Sequence, residues 1–191
     1  MLAASDGTTA TGTEYGIFLP IGSGGWIVST TAPHPEASYA YNREAAVTAD
    51  ALGFDFVMSM GKWRGYGGAT DHWEHTLESM TMTAAIAEAT ERVRVWATVH
   101  SNLFHPALTA KMLTTLQEAS DGRAGLNIVV GSYAREFQQM GLWREELSHA
   151  DRYRYRMGSS VEAWVENRTG VRLRPVVVAF DEAYVRQFST L

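Results

Sequence analysis

Three stretches of this chain hold residues whose types and spacing could do chemistry. The first is "GKWRGYGGATDHWEH", residues 61–75, directly after a strand-like run. Lys62 and Arg64 there, with backbone amides opened by Gly61, Gly65, Gly67 and Gly68, suit an anionic or carbonyl-bearing ligand. Both are equally readable as solvated loop charges. The glycines favour the ligand, because they admit close backbone approach and otherwise cost stability. In "DHWEH", Asp71, His72, Glu74 and His75 include a His-x-x-His pair that binds zinc if both rings face one side. The third ligand is missing and the spacing is common, so no metal is expected. His75 is expected to orient the loop and Trp73 to pack on a neighbour.

The second stretch is "GLNIVVG". Asn127 sits inside an apolar strand, where a carboxamide is costly unless bonded. It suits a carbonyl/N–H edge such as that of a pyrimidine-like ring. Satisfaction by backbone is the alternative. Thr98, near the end of the preceding strand, has a weaker claim, since Thr is an ordinary strand residue. His100, at that strand's end, is the better acid/base candidate of the pair His100 and His105, although structural roles fit both. No catalytic residue is singled out among Asn127, Thr98 and His100.

The third runs from Glu136, in the loop after the fourth strand, to Arg152 and Tyr153, which open a helix. An Arg at a helix start opposes the dipole, so a bound anion or a surface ion pair must compensate it. Trp26, Trp63, Trp73, Trp96 and Trp143 could stack on a flat cofactor or simply pack. No Ser-His-Asp order with supporting context and no phosphate loop of the Walker type is present.

The elements that must position these residues alternate. Apolar runs at residues 15–21, 54–60, 93–100 and 124–131 read as strands. Helical patterns follow at about 41–52, 76–90, 106–119 and 150–166. Such alternation means βαβ units and a parallel sheet covered by helices. The loops after strands one, two and four are long and chemically rich, whereas those after the helices are short. A β/α barrel places its site at the strand C-terminal ends in this way. A doubly wound sheet shares the asymmetry, but "GSGG" after the first strand opens no helix and matches its glycine fingerprint poorly. The expectation is an α/β fold, a partial TIM-type barrel of about four to five βα units.

Composition narrows the classes. The 191 residues hold 16 Lys and Arg against 21 Asp and Glu, a formal net charge of −5, with no basic block, so a nucleic-acid partner is not expected. There is no Cys, which excludes disulfides and thiolate metal sites and fits a cytoplasmic protein. No apolar run reaches the roughly 20 residues of a membrane helix, and the start lacks a signal-peptide pattern. Residues 1–14 read as a flexible lead, 15–167 as the barrel segment and 168–191 as a divergent tail.

Three segments, "GIFLPIGSGGWIVSTTAP", "FDFVMSMGKWRGYGGATDHWEHTLESMTM" and "GRAGLNIVVGSYAREFQQMGLW", resemble the bacterial-luciferase-like, flavin-dependent monooxygenases. The nearest branch by resemblance is the pyrimidine monooxygenases that open the uracil ring. The resemblance implies a TIM-type barrel that takes reduced FMN from a separate flavin reductase. It also implies a flavin peroxide that attacks a small-molecule substrate, with the protein positioning, donating to developing charge and excluding water. Family contacts to the cofactor fall on positions matched by Gly61, Lys62, Asn127, Glu136, Arg152 and Tyr153. Lys62, Asn127 and Arg152 are therefore expected to converge on one rim around a flat ligand.

Two departures qualify the resemblance. A full barrel takes about 250 residues or more, and here the match fades after "EAWVENR". "RPVVVAF", residues 174–180, is a candidate fifth strand, and the later loop with a flavin-phosphate contact is not found. An open half-barrel exposes two sheet edges, so a fragment or a homo-oligomer is expected, with weak or no FMN turnover by the isolated chain. Second, "WATVHSNLFHP" matches the uracil branch only loosely, which leaves a sulfone, another organosulfur compound or another heterocycle as substrate. A deazaflavin-dependent oxidoreductase and a non-catalytic partial barrel that binds a partner are the competing readings.

Overall fold

The computed structural model describes residues 13–148 and 151–152. Its elements run β1 (Gly16–Leu19), α1 (Tyr39–Leu52), β2 (Phe56–Ser59), α2 (Ser79–Ala89), β3 (Arg94–His100), α3 (Pro106–Ala119), β4 (Ala124–Val129) and α4 (Ala134–Gln138). Tyr153, the proposed fifth strand at 174–180 and the tail at 168–191 lie outside the described residues, as does most of the lead.

The four strands are parallel and stand in chain order, β1-β2-β3-β4. Sequential order is the barrel pattern; a doubly wound sheet would place β1 inside and reverse direction beside it. The structure thus decides between the two architectures that the alternation left open.

Local chemistry sets the helix ends. Ser38 accepts from the Tyr41 amide at the start of α1, and Gly53 closes it at φ 81°. Glu78 accepts from the Met80 and Thr81 amides at the start of α2. His105 caps α3, with Pro106 in its first turn, where the missing N–H costs nothing. The short α4 falls in a stretch expected to be loop. Five residues carry too little periodicity to be read as a helix, and this one forms because Glu136 and Phe137 are buried.

The two faces of the sheet differ. Leu19, Val57, Val95, Ala97 and Val99 join Met82 and Ile86 of α2 in the main core. On the other face, Phe56 and Trp96 stack with ring centroids 4.4 Å apart. Glycine flanks the stack on both sides: a Cβ on Gly125 would lie 2.3 Å from the Trp96 ring, and one on Gly16 would lie 2.3 Å from Phe56. Strand β4 is only half-buried in all six residues, contrary to the expected cover on both faces, because among the described residues it has a single neighbour, β3.

Candidate active site

The loops after β2, β3 and β4 leave the same end of a parallel sheet, so their residues meet there. At the end of β2, Gly61 is flush against its neighbours. A Cβ there would lie 3.0 Å from His100 Cε1 and 3.2 Å from Thr98 Cγ2. Next in the chain, Lys62 is 8% exposed and its Nζ lies 3.3 Å from Glu136 Oε2. Three rings surround the ammonium, with centroids at 4.1 Å (Tyr66), 4.7 Å (Tyr133) and 5.9 Å (Trp73). Glu136, 2% exposed, also accepts from the Trp63 amide through Oε1. Gln139 Nε2 donates to the Trp63 carbonyl. Helix α4 thereby clamps the 62–64 backbone.

Burial pushes the Lys62 ammonium below its ordinary pKa, against the attraction of Glu136. Burial likewise raises the Glu136 carboxyl, against the Lys62 charge and the amides of Trp63 and Arg64. The ammonium is already committed within the protein.

Asn127 and Thr98 pair in register across β3 and β4. Asn127 Nδ2 donates to Thr98 Oγ1 at 3.1 Å, and Thr98 Oγ1 donates to the Ser59 carbonyl at 2.6 Å. With that proton spent, Thr98 can only accept from Asn127, so the carboxamide is oriented. Its Oδ1 takes no bond among the described residues. Behind this pair, Ser59 Oγ contacts Ser79 Oγ and lies 2.8 Å from Thr83 Oγ1, while the Thr98 amide donates to Ser79 Oγ at 2.8 Å.

His100 is 3% exposed, and Trp63 Nε1–H donates to its Nδ1 at 3.1 Å. An indole only donates, so Nδ1 must be the bare nitrogen and Nε2 carries the proton. Burial, assisted by the Lys62 charge, lowers the imidazole pKa to about 3. His100 is held as a neutral ring.

Arg152 stands at the margin. Its guanidinium lies 4.1 Å from the Trp143 ring centroid and Nη1 donates to the Leu147 carbonyl at 2.7 Å. Nε is buried without a partner among the described residues. Trp143 stacks on Phe137, and Phe137 meets the His100 ring edge-on at 5.1 Å. The structure thus brings Gly61, Lys62, Thr98, His100, Asn127 and Glu136 together, with Arg152 joined to them through a ladder of rings.

In the "DHWEH" stretch, His72 is buried and stacks on Trp73, and burial lowers its pKa. Trp73 Nε1 donates to the Gly25 carbonyl, and the His75 and Ser23 backbones are bound together, so this loop is stapled to the one after β1. Among the described residues no group of three or more His, Cys, Asp or Glu could hold a metal. A cavity of about 310 Å³ opens beside the loop, lined by Lys62, Trp63 and residues 74–78. Thr98, His100 and Asn127 do not line it, so of the candidate cluster only Lys62 borders the cavity.

Sequence reasoning missed Tyr66 and Tyr133 around Lys62. They lie in different loops, and no local pattern links them. It also missed the Ser59–Ser79–Thr83 hydroxyls and the pair Ser101 and Asn102 after β3. Polar residues inside apolar runs were the available signal for the hydroxyls.

The chain belongs to the luciferase-like monooxygenase family, whose description matches residues 13–181. It is 44% identical over 142 residues to the pyrimidine monooxygenase RutA of Caulobacter sp. (strain K31), covering 74% of this chain and 40% of that relative. The chain therefore spans well under half the length of such relatives. Among solved structures, it is similar to riboflavin lyase RcaE with modified FMN and riboflavin (TM-score 0.64, 20% identity, 90% of this chain, 44% of that one). It is also similar to the oxygenating constituent of 3,6-diketocamphane monooxygenase from Pseudomonas putida in complex with FMN (TM-score 0.54, 23% identity, 76% and 38% covered). Both likenesses bear on the fold. Among the described residues no helix is long and apolar enough to cross a membrane.

Proposed function

We propose that this chain forms the flavin-facing part of a monooxygenase that acts on a pyrimidine such as uracil, using reduced FMN and dioxygen. The observation that carries the reading is the flush strand end. Gly61 packs directly against His100 and Thr98, and Thr98 in turn orients the Asn127 carboxamide, whose Oδ1 takes no bond among the described residues. A planar heterocycle with a carbonyl/N–H edge suits that surface. The 44% identity to a protein named pyrimidine monooxygenase supports the substrate class.

Reduced FMN, when bound, supplies the electrons that activate dioxygen, and a separate flavin reductase is its source. The residues of this chain do the rest by position. Asn127, fixed by Thr98, orients the ring. The neutral His100, its Nδ1 covered by Trp63, keeps a dry and uncharged wall beside it. Glu136 holds the 61–64 backbone in place by accepting from Trp63 and pairing with Lys62. Arg152 and Tyr153 are assigned to the polar part of the cofactor.

Titration of the chain with FMN and with a deazaflavin, read by tryptophan fluorescence, tests the cofactor. FMN should quench and deazaflavin should not; the reverse result replaces this reading by a deazaflavin oxidoreductase. Asn127→Leu should weaken FMN binding about tenfold. Mixing with reduced FMN, oxygen and uracil should give weak turnover or none from the isolated chain. Binding of neither cofactor leaves only the non-catalytic reading.

A further inference from the structure

The turn after β3 carries polar groups that the reading above does not use. Ser101 is 4% exposed and its Oγ has no hydrogen-bond partner among the described residues. The next residue, Asn102, has both Oδ1 and Nδ2 buried and without a partner among the described residues. Three buried polar atoms in two consecutive residues are expensive, because each gives up its bonds to water and gains none in return. Three backbone amides of the turn are engaged. The Ser101 amide donates to the Val129 carbonyl of β4, and the Leu103 and Phe104 amides donate to the His100 carbonyl. The turn is thus tied to β4 and to the end of β3 while these side-chain atoms have no partner among the described residues. It adjoins the candidate site: His100 immediately precedes it, and Phe104 faces Trp63 with ring centroids 6.3 Å apart.

We propose that Ser101 and Asn102 form a recognition site for the C(=O)–N–H edge of a cyclic amide or imide. A carboxamide presents one acceptor and a donor pair side by side, and such a ring edge presents the complementary donor and acceptor in the same plane. The Ser101 hydroxyl can give or take a third bond, which suits the second carbonyl of an imide. Asn102 is only half-buried as a residue, so rotation of its side chain brings the amide to the ligand. The chemistry is shared by a pyrimidine-2,4-dione substrate and by the pyrimidine edge of a flavin. The proposal rests on the reading above only in taking a flat heterocycle at this end of the sheet.

The test uses the full chain, with FMN and uracil titrated separately into wild type, Asn102→Leu and Asn102→Asp, and melting recorded without ligand. Asn102→Leu removes unsatisfied atoms, so its melting temperature should be unchanged or higher, while affinity falls at least about tenfold for one ligand. Loss confined to uracil assigns the substrate edge; loss confined to FMN assigns the flavin edge. Asn102→Asp keeps the shape but replaces the donor with an acceptor, and should weaken the same ligand. N1,N3-dimethyluracil, which keeps the carbonyls without an N–H, should bind wild type no better than uracil binds Asn102→Leu. Unchanged affinities in both variants, or a large fall in melting temperature in both, would mean that the turn holds only a buried water or a structural contact. Either overturns this inference and leaves the flavin reading standing. A wild type that binds neither FMN nor uracil overturns both.

Discussion

At the scale of single residues, the site rests on a buried ion pair. Removing one partner of such a pair leaves an uncompensated charge, which costs more than the pair itself contributes. Glu136→Gln should therefore lower unfolding free energy by about 3 kcal/mol in urea denaturation, because the Lys62 ammonium loses its counter-charge and keeps only its rings. Lys62→Met acts differently. The Glu136 carboxyl is already raised by burial, and without Lys62 nothing but backbone amides opposes that. A group whose folded pKa is raised stabilises below its ordinary value and loses this as pH rises. The Lys62→Met variant should gain stability as pH is lowered from 7 toward 4.5. For His100 the sign is opposite. With its folded pKa at about 3, the unfolded chain takes the proton first as pH falls below 6.5, and stability is lost from there downward. Its imidazole resonances should show the Nε2–H tautomer and no titration between pH 8 and 5.

At the scale of elements, two side chains tie the ends of the sheet opposite the site. Arg123, just before β4, donates to the Thr90 hydroxyl and to the carbonyls of Ala87, Thr90 and Val93. A cation there satisfies carbonyls at the C-terminus of α2 and suits the helix dipole. Arg123→Ala should cost about 2 kcal/mol of stability with little effect on ligand affinity. Asp50, near the end of α1, accepts from the amides of Glu91, Arg92 and Val93. Burial raises its pKa, but those amides and the Arg92 charge outweigh it, so the net shift is downward. Asp50→Asn should be less stable than wild type at neutral pH, with the gap closing as pH falls below 3.8. The elements themselves were legible. Helix α3 begins and ends where Pro106 and the "SDGR" turn place it, and strand positions follow the apolar runs. Helix α4 was not legible, because its stability comes from burying Phe137 and Glu136, not from its own five residues.

At the scale of the whole molecule, β1 and β4 each have one strand neighbour among the described residues. Unpaired parallel edges, one of them half-buried along its length, favour pairing with another chain. Sedimentation at rising concentration should show a mass above that of the 21.1 kDa monomer; a monomer at all concentrations would remove the homo-oligomer from this account.

By itself the sequence determined the alternation of elements and the family, and it proposed which end of the sheet and which residues carry the chemistry. These are properties of periodicity, turn chemistry and motif, all written within about 30 neighbouring residues of one βαβ unit. The tertiary structure decided strand order and the partners of each candidate. Lys62 reads equally as a ligand-holding cation and as a solvated loop charge, and the fold sets it among Glu136, Tyr66 and Tyr133. His100 is an acid/base candidate by position with a structural role as the alternative, and the fold makes it a neutral acceptor for Trp63. Burial and long-range pairing govern charge state, and neither is a property of nearest neighbours in the chain.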